Sequence, residues 1–219
     1  MLRLGEKQTL IIVKRVEFGV YLAENQQPGE TRVLLPAKQV PEFVKTGDRL
    51  EVFLYKDSSD RLIATTQEPK ITLDELAVLK VADTGRIGAF LDWGLEKDLL
   101  LPFKEQTAKV KKGDEVLVTL YVDKSGRLCA TMKVYEKLRT DSPYKKDDHV
   151  EGIIYETSDN FGVFVAVDDC SSALIPKREA FGRLRVGDRV SARVLKVRED
   201  GKKPNRGCFL TMPIGTDPK

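Results

Sequence analysis

Apolar and polar residues alternate in short bursts along this chain, with turn-forming clusters between the bursts. In the first 69 residues the bursts are LIIVKRV, GVYLAE, TRVLLP, RLEVFLYK and RLIATT. Period-two runs of this length, bounded by Gly, Pro, Asn and Asp, read as β-strands. A Gly-Asp pair ahead of the fourth burst marks a turn. Five short strands with a loop between the third and fourth predict a small closed barrel, because closure removes the edges that an open sheet exposes.

The pattern then repeats. VLLPAKQVPEFVKTGDRLEVFLYKDSSDRLIATT returns as LLLPFKEQTAKVKKGDEVLVTLYVDKSGRLCATM, and more loosely as ALIPKREAFGRLRVGDRVSARVLKVREDGKKPNRGCFLTM. Pro36, Pro102 and Pro176 are spaced by 66 and 74 residues, as are the Gly-Asp pairs that begin at Gly47, Gly113 and Gly187. Upstream of each Pro stands FGVYL, IGAFL or FGVFV. Such a period means tandem modules, expected over residues 1–69, 70–138 and 145–214, with brief linkers at ITLDEL and LRTDSPYKKDD.

These repeats resemble the S1-type RNA-binding domain, and three in this order are similar to the conserved virulence factor B (YitL-like) family. The resemblance implies an all-β chain of three tandem five-stranded OB-fold barrels. It also implies a winged-helix domain after the third barrel; since the sequence ends at FLTMPIGTDPK, that domain is expected to be lacking, by truncation or divergence, and functions that depend on it are not carried over.

Side-chain alternation sets Tyr21 opposite Val20 and Leu22, Phe90 opposite Ala89 and Leu91, and Phe164 opposite Val163 and Val165, so if the aliphatic residues fill a barrel the rings point outward. Phe18 and Phe161 precede Tyr21 and Phe164 by three residues, an odd offset that a bulge at Gly19 or Gly162 would correct. The S1-type family stacks bases on this pair. Repeat two has Ile87 at the first position and is expected to stack fewer bases unless Trp93 compensates; the alternative is that these rings pack a barrel end or a neighbouring barrel.

By the same resemblance, Asp57 with Arg61 and Asp123 with Arg127 flank the last hairpin and contact RNA, against the alternative of a hairpin salt bridge. Pro36, Pro102 and Pro176 stand where the family carries an RNA-contacting His, which removes a side-chain donor from every barrel.

Charge adds one feature. The net charge is only +3, but residues 177–206 carry eleven Lys and Arg, Lys202, Lys203 and Arg206 among them, against four Asp and Glu. Arg183, Arg185, Arg189 and Arg193 are the candidates there for phosphate contact, the alternative being a solvated surface. Catalytic chemistry is not expected: His149 is the only His, and neither a P-loop nor a nucleophile elbow is present. Adjacent pairs such as Asp168 with Asp169 or Asp147 with Asp148 seldom converge on one metal ion. Cys129, Cys170 and Cys208 have no paired spacing and read as reduced. No cofactor and no membrane association are expected, and the chain reads as cytoplasmic. The expected partner is single-stranded RNA, bound in post-transcriptional regulation, RNA turnover or translation, with ribosomal or RNA-processing proteins as further partners. The competing reading is a scaffold that docks on such a protein; a nuclease is the weakest.

Overall fold

The computed structural model describes the chain except residues 28, 30, 58, 140, 142, 199–206 and 212–219, with the backbone alone at 198, 207 and 208. Among the described residues fifteen strands fall into three sheets of five. The first holds β1 (Lys7–Val16), β2 (Gly19–Ala23), β3 (Val33–Pro36), β4 (Arg49–Lys56) and β5 (Leu62–Thr65). The second holds β6 (Leu76–Thr84), β7 (Gly88–Asp92), β8 (Leu99–Pro102), β9 (Glu115–Val122) and β10 (Leu128–Thr131). The third holds β11 (His149–Ser158), β12 (Gly162–Val167), β13 (Ser171–Pro176), β14 (Arg189–Arg198) and β15 (Gly207–Thr211).

Barrels 1 and 3 close in the order β1-β2-β3-β5-β4 and its equivalent, through parallel pairing of β3 with β5 and of β13 with β15. Barrel 2 has the same order, but its sheet ends on β8 and β10, which lie side by side without a closing ladder. Each barrel is filled by the inward half of its alternating strands, for instance Leu10, Ile12, Val20, Leu22 and Leu35 in the first.

The repeated Gly-Asp pair has a structural task. In barrel 1, Gly47 donates its N–H to the Ile12 carbonyl at 2.8 Å and Asp48 returns a carbonyl to the Ile12 N–H at 2.9 Å. Val81 and Ile154 are clasped in the same way by Gly113 with Asp114 and by Gly187 with Asp188. The strand register shifts immediately beyond each clasp, between Ile12 and Lys14, Val81 and Asp83, and Ile154 and Glu156. The bulge therefore lies on β1, β6 and β11, and not at Gly19 or Gly162 as the sequence suggested. Those glycines answer a different demand. A Cβ on Gly19, Gly88 or Gly162 would stand 2.1, 2.2 or 2.2 Å from the carbonyl oxygen of Leu35, Leu101 or Ile175, so only glycine admits the facing strand at that distance.

Neighbouring barrels share apolar seams. Between the first two, Phe53 and Tyr55 of β4 meet Trp93 edge-on at centroid distances of 5.8 and 6.3 Å, within one cluster that also takes in Ile71 of the linker. Between the second and third, Leu117, Val134 and Leu138 pack on Ile153, Tyr155 and Ala166. Tyr155 is the residue that the β11 bulge leaves over; the bulge thus aims its ring at barrel 2, where the Thr107 hydroxyl donates to its carbonyl at 2.8 Å.

Two outcomes follow from this packing. Replacing Gly88 with Ala forces a Cβ into backbone and should cost about 3 kcal/mol, read as a lowered urea midpoint. Burial pushes the Cys129 thiol up to about 11, so at pH 8 it remains in the unreactive protonated form. Iodoacetamide should leave Cys129 unmodified in folded protein and alkylate it in urea, as mapped by peptide mass.

Candidate nucleic-acid interface

The three glycines lie at the start of β2, β7 and β12, each paired across the sheet with the Pro that ends the next strand: Gly19 with Pro36, Gly88 with Pro102, Gly162 with Pro176. The residue before each glycine therefore stands in the turn and is free to face outward. Phe18 is 57% exposed, Ile87 60% and Phe161 50%. In barrel 1 Phe18 and Tyr21 meet edge to face at 6.4 Å, so both rings share one side despite their odd offset. Phe90 and Phe164 are half-buried on the outward face of their strands.

Barrel 2 lacks the first ring but gains another. The backbone N–H just past each Pro donates to the carbonyl of the turn residue: Ala37 to Phe18, Phe103 to Ile87 and Lys177 to Phe161, at 3.0, 3.3 and 3.1 Å. Phe103 is thus held beside Ile87 and is 57% exposed. Sequence reasoning missed it, although the change from Ala37 to Phe103 to Lys177 at one repeat position was there to be read. It missed also that the following position is always cationic. Lys38, Lys104 and Arg178 are all exposed, and Arg178 has Glu179 at 3.6 Å.

Trp93 does not compensate for Ile87 as a stacking ring. It is 3% exposed, its indole N–H donates to the Lys97 carbonyl at 2.5 Å, and its ring fills the seam between barrels 1 and 2. A large ring in a turn beside an apolar neighbour is drawn into that neighbour's core, since burying it removes more apolar surface from water than exposure allows. Phe164 is also partly committed, with its ring 6.1 Å from Tyr155 at the second seam.

The hairpin pairs take two forms. Arg61 is bound to its own hairpin through Nε and Nη2 to Asp57 Oδ2 at 2.9 and 2.8 Å, the salt-bridge alternative. Arg127 donates only its backbone N–H to Asp123, at 3.0 Å, and sends its guanidinium across the seam to Asp60 of barrel 1. The side-chain hydrogen bond from Arg127 holds the Asp60 carboxyl below its usual range. Asp123 is lowered as well, first by the Ser125 hydroxyl and then by the Arg127 N–H. In the third repeat the corresponding turn lies outside the described residues.

The basic stretch is divided. Arg189 and Arg193 share the outer face of β14 but have carboxylate partners, Asp169 at 3.2 Å and Asp147 at 3.3 Å. β14 pairs with β11 and β15 while Phe164 sits on β12, so β11 separates these arginines from the ring. Arg183 and Arg185 are exposed in the loop before β14; the Arg185 backbone N–H donates to Asp188 at 2.8 Å, while neither guanidinium has a carboxylate partner among the described residues. Lys202, Lys203 and Arg206 lie outside the described residues.

Asp168 and Asp169 form the left-handed turn between β12 and β13, with φ of 50° and 56°. Their carboxylates are engaged by Tyr144 at 2.5 Å and by Arg189. Among the described residues no group of three or more His, Cys, Asp or Glu side chains is arranged to hold a metal ion. Nor is any described helix long and apolar enough to cross a membrane.

Comparison with known proteins agrees with this geometry. The S1 domain family matches residues 4–67 and 75–133, and the S1 RNA binding domain family matches residues 144–208. YitL of Bacillus subtilis is 32% identical over 209 residues, which cover 91% of this chain and 68% of that one. Conserved virulence factor B is 29% identical over 179 residues in Staphylococcus haemolyticus and 30% over 182 in Staphylococcus aureus. In both, the match takes in 77% of this chain but 58% of the relative, so the chain spans under two thirds of their length. A crystal structure of a multidomain protein with nucleic acid binding domains from Streptococcus pneumoniae shares the fold, with TM-score 0.64 at 21% identity over 98% of this chain and 75% of that one. A chain of three S1 barrels with these relatives belongs to the YitL and conserved virulence factor B family of RNA-binding, S1-domain proteins.

Proposed function

We propose that the chain holds single-stranded RNA across the ring-bearing faces of its barrels without acting on it chemically, and that it serves RNA turnover or translation in the cytoplasm. The observation that carries this reading is the recurrence, in every barrel, of an exposed apolar side chain before the glycine together with a cation two residues past the facing Pro. Bases stack on such rings whatever their identity, each contributing about 1–3 kcal/mol. Lys38, Lys104 and Arg178, with Arg183 and Arg185, supply charge for the phosphates, whose released counterions make binding sensitive to salt.

Proline in place of a hydrogen-bonding side chain limits each barrel to modest affinity. The shared seams answer that weakness, because once one barrel holds a strand the next is already within reach and its engagement becomes intramolecular. Ribosomal or RNA-processing proteins would be the neighbours of such a protein.

The test is a titration with short single-stranded RNA at low and moderate salt. Affinity should fall with salt, and Phe161→Ala, which removes a ring outside the barrel core, should weaken binding about 5- to 100-fold. Equal affinity in the variant would remove Phe161 from the stacking set. Absence of salt-sensitive binding by the unaltered chain would turn the reading to a protein-docking scaffold.

A further inference from the structure

Barrel 2 is the one barrel whose sheet does not close by a ladder, and the gap is placed where it can be used. In barrel 1 the closing pair is Leu34 with Ile63, and in barrel 3 it is Ala173 with Cys208 and Leu174 with Phe209. The corresponding residues of barrel 2 are Leu100 and Cys129, and both line a pocket of about 190 Å³. Its walls continue to Ile87 and Phe90, and Trp93 lines it as well. Barrel 1 completes it with Tyr55, Lys56 and Asp60. The pocket is therefore continuous with the ring-bearing face of barrel 2 and exists only where two barrels meet.

We infer that this seam pocket receives one unstacked nucleobase of a single-stranded RNA lying on Phe90, with the flanking phosphates at Lys56, Lys97 and Arg127. This rests on the proposed function and names the subsite where a strand crosses from barrel 1 to barrel 2. Size is the first argument: ligand pockets for drug-sized molecules run to about 300–1,000 Å³, and a smaller one suits a single planar ring system. Chemistry is the second. A base has apolar faces and a hydrogen-bonding edge, and the pocket offers Leu100 and Phe90 to the faces. Asp123 Oδ1 already accepts from the Ser125 and Arg127 backbone and from the Ser125 hydroxyl. Among the described residues its Oδ2 has only the Cys129 thiol, at 4.0 Å, and it remains an acceptor for the base edge. Charge is the third. Lys56, Lys97 and Arg127 stand in the lining with Asp60, Asp98 and Asp123, and Arg127 is held by Asp60, so an arriving phosphate exchanges with that carboxylate for a guanidinium already in place, and single-stranded RNA is read through bases splayed out of their stack.

Trp93 is the only Trp in the chain, so its emission reports on the pocket. The full chain is titrated with a short end-labelled single-stranded RNA, following RNA anisotropy and Trp93 emission together, and then with the same backbone lacking bases. Two variants complete the set: Leu100→Phe, which fills the pocket from its wall, and Phe161→Ala, which alters a distant barrel. The expected result is quenching that tracks anisotropy, is absent with the abasic strand, reaches its full extent in Phe161→Ala once the RNA concentration is raised to saturate that weaker binder, and vanishes in Leu100→Phe while that variant still binds RNA, about 5- to 100-fold more weakly. An unchanged urea midpoint for Leu100→Phe shows that the variant folds. Binding seen by anisotropy with constant Trp93 emission, or quenching that survives Leu100→Phe, overturns the pocket and leaves RNA binding intact. No anisotropy change with any strand overturns both.

Discussion

The exposed rim at the start of the second strand of each barrel depends on how closely one carbonyl approaches one glycine. In each barrel the strand that ends in Pro brings its penultimate carbonyl to a distance from Gly19, Gly88 or Gly162 that a side chain would forbid. That contact pins the end of the strand and throws the preceding residue, Phe18, Ile87 or Phe161, out of the sheet. It also brings the backbone N–H past the Pro to that residue's carbonyl, which adds a neighbouring side chain to the rim. Rings and cations are thus fixed by backbone geometry, and the side chains themselves remain free to vary, as they do between Ala37, Phe103 and Lys177.

The seams are the second organising element. Trp93, Phe53 and Tyr55 make barrels 1 and 2 parts of one core, and the bulge at Tyr155 does the same for barrels 2 and 3. Barrel 2, held on both sides, carries the open sheet and the seam pocket. An OB barrel standing alone would have no such pocket, because Lys56 and Asp60 come from its neighbour. Arg127 shows the same logic at one residue: its counterpart Arg61 stays within its hairpin, while Arg127 crosses to the adjoining barrel.

How much was legible beforehand follows from the range of the interactions. Strand positions, the repeat and the outward direction of Tyr21, Phe90 and Phe164 are written in local alternation, which is why each repeat yields five strands. The clasp of Gly47 and Asp48 on Ile12 joins segments distant in sequence, so the Gly-Asp pair was readable as a turn but the bulge it fixes on β1 was not. Trp93 stayed open between stacking and covering a neighbouring patch, because a turn residue's neighbour in the next barrel leaves no trace in its own repeat. Phe103, Lys38, Lys104 and Arg178 needed only a comparison of repeats at the position of each Pro. The carboxylates that occupy Arg189 and Arg193 lie in other loops, so a basic run in sequence looked freer than it is.

The seam between barrels 1 and 2 also sets a schedule for synthesis. Trp93 follows Tyr55 by 38 residues, and at about 5–20 residues per second the ribosome needs roughly 2–8 seconds to make that interval. Barrel 1 can complete its own sheet during that time, yet Phe53 and Tyr55 wait without the ring that covers them. For those seconds the nascent chain carries an uncovered aromatic face, and a chaperone that binds such faces has its opportunity before barrel 2 arrives to take its place.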